Sequence, residues 1–412
     1  MKILQLVPRF PFPEDDGGKI GIANIYKEFS RQGYNITLFS LNHLNIDAND
    51  LKEAEKFGKV IIVNTNTKND FRNIFKSILT NSSVYIQKHN QKEVYDAIDN
   101  LINNLNDEEK FDIVHSDHTC MTPLALYVGK KLSIPVGQRL HNIEYKIWER
   151  YADGIPKYNP KYFYLKHQAY LLMEEESKIF NQIDIGFVIT NNDKQIAKTI
   201  SPNSNLILAS AGADLDLFKP IEGEENSKTK NNPYELIIAT TFNWVHNIEG
   251  VLWFIKNVLP IIKREIPEVY LTIIGKNPPK GFDNFSNQGV KSLGYVDSVI
   301  PYLQQASIYV APLFVGSGIR IKILEALAVG LPVVATKVSA EGIELGDEEG
   351  LIVSDKAEDQ ANQIINLINN PEKIKLLGVK ARESIKENYT WKKNVMKMVN
   401  GYNEIIKKYM DS

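Results

Sequence analysis

The sequence predicts an α/β protein of two Rossmann-like domains facing each other across a cleft. Three observations carry that prediction. Short apolar runs alternate with helical stripes along the whole chain. A polar segment bounded by prolines interrupts them at 219–233. After it the same rhythm restarts. The length agrees, since 412 residues exceed one ordinary domain.

In order, Ile3–Val7 is an apolar run stopped by Pro8 and reads as a buried strand. Ile22, Ile25 and Phe29 then fall on one helical stripe that Gly33 ends, and Tyr34–Ser40 is the next strand. That is strand, loop, helix and strand within forty residues, the opening of a doubly wound sheet. Further strands are expected at 60–63, 113–115, 136–139, 186–190 and 206–209. Past the interruption they recur at 236–240, 269–275, 290–293, 307–312, 332–336 and 351–353. Ile248, Val251, Leu252, Ile255, Leu259 and Ile262 mark an amphipathic helix. A last helix carries Val395, Val399, Tyr402 and Ile406 at i, i+4, i+7 and i+11 and is expected to return to the first domain. The resulting division is 1–215, a linker 216–233, 234–388, and a C-terminal helix 389–412.

Composition excludes several classes. Hydrophobic residues make up 43% and charged residues 24%, which is ordinary for a globular chain. With 48 Lys and Arg against 50 Asp and Glu, the net charge of −2 does not suit a nucleic-acid partner. Cys120 is the single cysteine, so no intrachain disulfide forms and a cytoplasmic setting is expected. No run of eighteen apolar residues occurs. There is no Gly-x-Gly-x-x-Gly after a strand, no P-loop and no Gly-x-Ser-x-Gly elbow, which removes dinucleotide, NTPase and hydrolase readings. Asp214 with Asp216, and His115 with Asp117 and His118, have carboxylate or imidazole spacings that metals use, but neither comes with a full ligand set. No metal or other cofactor is expected.

The informative run is Ala311 to Thr336, read as strand, glycine-rich loop, helix, glycine stop and strand. Ile319, Ile323 and Leu327 form a core stripe, and Gly318, Lys322 and Glu325 form a second. The second stripe starts at a helix N-terminus, where free N–H groups attract anions. Lys322 adds a cation, and Glu325 adds a carboxylate suited to a ribose diol. An anion site beside a diol acceptor describes a nucleoside diphosphate sugar.

Gly316 to Thr336, with Ser339-Ala340-Glu341-Gly342-Ile343, resembles the donor-site signature of the family 4 glycosyltransferases, which are retaining, metal-independent enzymes of GT-B fold. Gly17-Gly18, Ala211-Gly212-Ala213-Asp214, Thr241 to Asn247, Ile273-Ile274-Gly275 and Leu293-Gly294-Tyr295-Val296 stand in the family's order, so the resemblance covers nearly the whole chain. It implies that Glu325 holds the ribose as the second Glu of a Glu-x7-Glu motif. Ser317 replaces the first Glu, which puts the donor-sugar contacts in question. The expected Arg/Lys pair on the diphosphate is also missing, since Asn243, His246 and Asn247 stand there. The cation role therefore passes to Lys322 and Arg320. Gly17, Gly18, Asn243, Gly316, Ser317, Gly318 and Ile319 complete the donor-side set.

In the first domain, Arg139-Leu140-His141-Asn142-Ile143-Glu144 resembles the family's Arg-x-His-Asn-x-Glu element, whose His lies by the sugar and the reaction centre. Asp117 and His118 join Arg139, Asn142 and Glu144 as acceptor-side candidates. Domain closure is expected to bring His141 to the anomeric carbon. Eight aromatics between 139 and 170 suggest helix packing or, less strongly, an acceptor wall or a membrane-facing patch.

The expected function is a retaining glycosyltransferase of glycan biosynthesis. It would move a sugar from a UDP-, GDP- or ADP-linked donor to a saccharide, lipid-linked or protein-linked acceptor. Peripheral contact with the inner face of a membrane stays open. So do two other readings: further GT-B chemistry such as a nucleotide-sugar 2-epimerase or a phosphorylase, and a non-catalytic nucleotide-sugar-binding subunit.

Overall fold

The computed structural model describes residues 1–42, 46–221, 234–316 and 318–411. The chain divides into two compact units, Met1–Ser210 with Asn394–Ser412, and Ala211–Lys393. The division falls after Ser210, five residues before the expected linker, and positions 222–233 of that linker lie outside the described residues.

The first unit runs β1 (Lys2–Val7), α1 (Gly17–Arg31), β2 (Asn35–Asn42), α2 (Ala48–Glu55), β3 (Lys59–Asn64), α3 (Phe71–Thr80), α4 (Val84–Gln87) and α5 (Lys92–Asn103). It continues with β4 (Ile113–Asp117), α6 (Thr122–Leu132), β5 (Val136–Leu140), α7 (Glu144–Asp153), α8 (Pro160–Gln182), β6 (Ile185–Val188), α9 (Asn191–Ile200) and β7 (Leu206–Leu208). The seven strands are parallel in the order 3-2-1-4-5-6-7. Helices cover such a sheet on both faces, which is why its strands read as unbroken apolar runs. Leu4, Leu6, Phe39, Val114, Leu124, Leu140 and Phe180 form the core. The strand order reverses between β1 and β4, so the loops after these strands diverge and leave a crevice at the carboxyl ends.

The second unit runs β8 (Glu235–Ala239), α10 (Val245–Trp253), α11 (Leu259–Glu265), β9 (Tyr270–Ile274), β10 (Val290–Gly294), α12 (Ile300–Gln305), β11 (Ile308–Ala311) and α13 (Ile321–Ala328). Then come β12 (Val333–Ala335), β13 (Leu351–Val353), α14 (Ala357–Ile368) and α15 (Pro371–Asn388). Its strands are parallel in the order 10-9-8-11-12-13, and the order reverses between β8 and β11. A π-helical turn at Phe254–Val258 joins α10 to α11. Pro260 follows it and cannot donate to the preceding turn, so the ladder widens there.

The last helix, α16 (Trp391–Met410), crosses into the first unit. Val395, Met398, Val399, Tyr402 and Ile405 are buried, whereas Ile406, which the sequence stripe favoured, is only half-buried. Two glycines admit the helix. A Cβ on Gly137 would strike the Tyr402 ring, and one on Gly401 would strike Ile185. The Tyr402 hydroxyl meets His115 Nδ1 at 2.5 Å, and its ring lies against Phe29 and Phe187.

Helix α13 is held from behind by α15. Gly330 ends α13 in the left-handed region at φ 83°, and Gly378 of α15 sits on its carbonyl. Arg382, one turn further, donates to the carbonyls of Ala328 and Phe218, placing a cation at the C-terminus of α13. A Cβ at position 378 has no room. Gly378→Ala is expected to lower stability by about 1–3 kcal/mol. Urea unfolding measures this, and an unchanged midpoint would contradict the contact.

Candidate functional site

Two clusters stand at the carboxyl ends of the sheets, one in each unit. In the second unit, the loop after β11 is pinned before it reaches the glycines. Ser339 Oγ accepts the Leu313 N–H at 3.0 Å, and Thr336 Oγ1 donates to the Leu313 carbonyl. Gly316 at φ 141° and Gly318 at φ 76° then turn the chain through backbone that side chains avoid. Arg320 folds back over them: its Nη1 donates to the Gly318 carbonyl at 3.1 Å, and its guanidinium fills the space that a Cβ on Gly316 would need. Ser317 lies outside the described residues.

Helix α13 begins at Ile321, with Arg320 as the extended cap residue. This corrects the sequence expectation. Ile319 belongs to the loop and is only half-buried, so the core face is Ile321, Ile323, Leu324 and Leu327. Lys322 therefore stands in the first turn, and its Nζ pairs with Glu325 Oε2 at 3.0 Å. The pair is not a solvated surface pair, because Lys322 is 43% exposed while Glu325 is 6%. A carboxylate this buried needs its cation. The close packing of α10 brings the loop after β8 alongside, since a Cβ on Gly250 would meet the Pro312 carbonyl. His246, in the first turn of α10, is held below its usual pKa by burial and then by the charge of Arg320. Asn243 accepts from the Asn277 amide at 2.6 Å.

In the first unit, the cluster forms where β1, β4 and β5 end. Asp117 closes β4, fully buried, and accepts from Gln5 of β1 at 3.2 Å. Arg139 of β5, 1% exposed, lies 3.4 Å from Asp117 Oδ1. His141 Nε2 faces the same oxygen at 2.5 Å and also touches Arg139 Nη1. His118 adopts φ 81°, rare for a side chain of its size, and stacks its ring on His141 at 3.6 Å. Burial works against the Asp117 anion, but His141 and Arg139 outweigh it and hold the carboxyl well below the usual range. Burial, then the Arg139 charge, lower His141 to about 4 against the pull of Asp117. His141 is thus neutral near pH 7. In the tautomer that donates Nε2–H to Asp117, Nδ1 is the acceptor.

The metal spacing that the sequence suggested for His115, Asp117 and His118 resolves differently. His115 Nδ1 meets the Tyr402 hydroxyl while its Nε2 lies 3.9 Å from Asp117 Oδ2, and His141 rather than His115 completes the close group with Asp117 and His118. The ligand atoms of Asp117, His118 and His141 lie within 4.8 Å of one another. Stacked imidazoles do not direct two lone pairs at one ion, however, and Arg139 already supplies a cation to the same oxygen and nitrogen.

Glu144 does not join this group. It is buried at the start of α7 against Tyr85, Lys88 and Cys120, where burial raises its pKa to about 7. Asn142 is half-buried in the turn before it. Gly17 and Gly18 open α1. Gly17 is in open space, whereas a Cβ on Gly18 would strike Arg9, which pairs with the cap residue Asp16 through two hydrogen bonds of 2.6 and 2.8 Å.

Three contributors were missed from sequence. Arg9 bears on both His118 and His141 electrostatically. Gly21 of α1 leaves room for Arg139 and His141, each 3.3 Å from where its Cβ would stand. Glu176 of α8 accepts the N–H groups of Glu144 and Tyr145 at 2.9 and 3.0 Å, fixing the turn that carries His141. Arg9 alone left a signal, a cation just beyond the first strand.

Comparison with known proteins places these clusters in context. Residues 235–370 match the family model described as "Glycosyl transferases group 1". An uncharacterised glycosyltransferase of Methanocaldococcus jannaschii is 25% identical over 262 residues, 57% of this chain and 66% of that one. The alignments span 24 to 66% of the length of the curated relatives that the chain matches. Among solved structures, sucrose-phosphate synthase from Thermosynechococcus elongatus superposes with a TM-score of 0.70 at 15% identity, over 99% of this chain and 100% of that one. Anabaena HepE in complex with UDP gives 0.67 at 12%, over 98% and 100%. The fold is GT-B.

The first-unit cluster makes a measurable prediction. His141 is expected to titrate at about 4 rather than near 6.5. Because Arg139 contributes to that depression, Arg139→Gln should move the midpoint upward. The imidazole proton shift in NMR follows both. An unperturbed midpoint in the native protein would refute the arrangement.

Proposed function

We propose that the protein is a retaining glycosyltransferase that takes its sugar from a nucleoside diphosphate donor held by the second unit. The observation that carries this reading is the buried Glu325 carboxylate, paired with Lys322 on the first turn of a helix behind a glycine loop. Glu325 accepts the two ribose hydroxyls. The diphosphate lies over the backbone at 316–320, with Arg320 and Lys322 as its cations. Negative charge grows on the leaving phosphate as the glycosidic bond breaks, and fixed cations favour that transition state over the bound donor. The family match over 235–370 spans all of these residues, and HepE, of the same fold, is described in complex with UDP. Both support the donor class.

The first unit serves the acceptor. Neutral His141 offers Nδ1 to a sugar hydroxyl, with its tautomer set by Asp117 and its neutrality by burial and Arg139. The protein's own cations take the place a divalent ion would fill, so turnover is expected without one. Acceptors are glycans or lipid-linked saccharides of a biosynthetic pathway.

Lys322→Ala is expected to lower kcat/KM on the order of 100-fold. Glu325→Ala should act mainly by raising the donor KM, with the circular dichroism spectrum of both variants unchanged. Full activity in both would remove the donor assignment. A thermal-shift panel of UDP, GDP and ADP with their sugars names the base, because only the true donor stabilises by mass action. An anomer inverted in the NMR spectrum of the product, or turnover abolished by a chelator, would refute the mechanism.

A further inference from the structure

Helix α3 is turned inside out. Its buried positions are Asn73 and Ser77, one helical turn apart; Ile74 is half-buried, and the other four apolar positions face solvent. Phe71 is 83% exposed, Phe75 52%, Ile78 63% and Leu79 70%. These four fall within about 100° of arc around the axis, opposite the buried pair. The orientation is fixed by hydrogen bonds. Asn73 donates to the carbonyls of Asn66 and Lys68, Ser77 donates to Ser82, and Gln168 of α8 donates to Ser77 at 3.3 Å. Rolling the helix to bury its apolar side would break all of these.

Charge selects what covers such a face. Lys68, Arg72 and Lys76 lie on or beside the helix, and Asp70 is the one acid between 66 and 80, already used to cap Asn73. The whole chain is slightly acidic, so the positive edge is local. A second copy would bring the same cations against Arg72 and Lys76 in a two-fold contact. An anionic lipid surface fits both features: apolar side chains enter the headgroup boundary, and cations meet phosphates. At ten residues the helix lies along a surface and is too short to cross one. Among the described residues, no helix is long and apolar enough to span a membrane.

We infer that α3 seats the first unit on an anionic bilayer through Phe71, Phe75, Ile78 and Leu79, with Lys68, Arg72 and Lys76 at the phosphate plane. The exposed aromatics of α7 and α8 are not needed for this. Tyr158, between the two helices, and Phe163 and Tyr170 of α8 are exposed, but Gln168, which faces α3, lies on another side of α8 from Phe163 and Tyr170. The inference stands on α3 alone and does not depend on the donor site.

The test is co-sedimentation of the full chain with vesicles of phosphatidylcholine, alone or mixed with phosphatidylglycerol. Binding is expected with the mixture and at least tenfold weaker with phosphatidylcholine alone. Phe75→Ser with Leu79→Ser should cut binding to the mixture at least tenfold while the melting temperature stays unchanged, because both side chains are exposed. Arg72→Gln with Lys76→Gln should weaken it severalfold and lower its salt dependence. No binding to the mixture, equal binding to both vesicles, or a dimer in light scattering that the Phe75→Ser/Leu79→Ser pair dissociates would each overturn the inference. Donor turnover, assayed with a water-soluble acceptor, should be unchanged in these variants, so this result and that of the donor-site tests are read separately.

Discussion

A guanidinium with almost no exposed surface keeps its charge and needs a counter-charge to offset its burial, and much of the first unit is arranged around that requirement. Arg139 lies inside β5, beneath the end of the sheet. Asp117 faces it from β4, and the parallel register that pairs these two residues across the strands sets their meeting. Removing either partner of such a pair typically costs about 3–5 kcal/mol, because the survivor stays buried and uncompensated. The pair also governs its neighbour. Burial and the Arg139 charge keep His141 neutral against the pull of Asp117, toward which its Nε2 faces. Gly21 has to be small for Arg139 and His141 to fit beneath α1.

The second unit meets a related requirement by different means. Its carboxylate, Glu325, also sits buried beyond the sheet at a reversal of strand order, but its cation reaches it from the preceding turn of the same helix. The precision lies in backbone contacts. Gly250 against Pro312, Gly275 against the Thr240 carbonyl and Gly378 against Gly330 are all approaches that a single methyl group would prevent. Together they place the loops after β8 and β11 side by side and keep α13 from shifting along its axis.

Much of this was legible in the sequence. The strands were, because parallel strands buried on both faces read as continuous apolar runs that prolines and glycines interrupt. Lys322 and Glu325 were, because a three-residue spacing on a helix fixes which side chains meet. The start of α13 was misread by about one turn. Ile319 has the right spacing for its apolar face, but the left-handed glycine at 318 stops the helix from reaching it. That Glu144 lies buried beside Tyr85 and Lys88 was not legible, because a motif gives position along the chain and not the direction of the side chain. The joining of His141 to Asp117, and the role of Gly21, depend on contacts between elements and have no local signature. The outward face of α3 was invisible for the same reason: an apolar stripe in sequence reads as a core stripe until its polar side is seen bonded to the rest of the protein.

The docking of α16 has a consequence for how the chain folds as it is made. The slot beside β5 and β6, lined by Gly137, His115, Phe29 and Phe187, is closed by Tyr402. Some 180 residues of the other unit are synthesised before that tyrosine emerges. Domains that fold during synthesis ordinarily finish in order from the N-terminus. Here the first unit begins first and finishes last. Until then it carries an apolar slot beside the strands that bear Asp117 and Arg139, a natural target for a chaperone that binds exposed hydrophobic surface on the nascent chain.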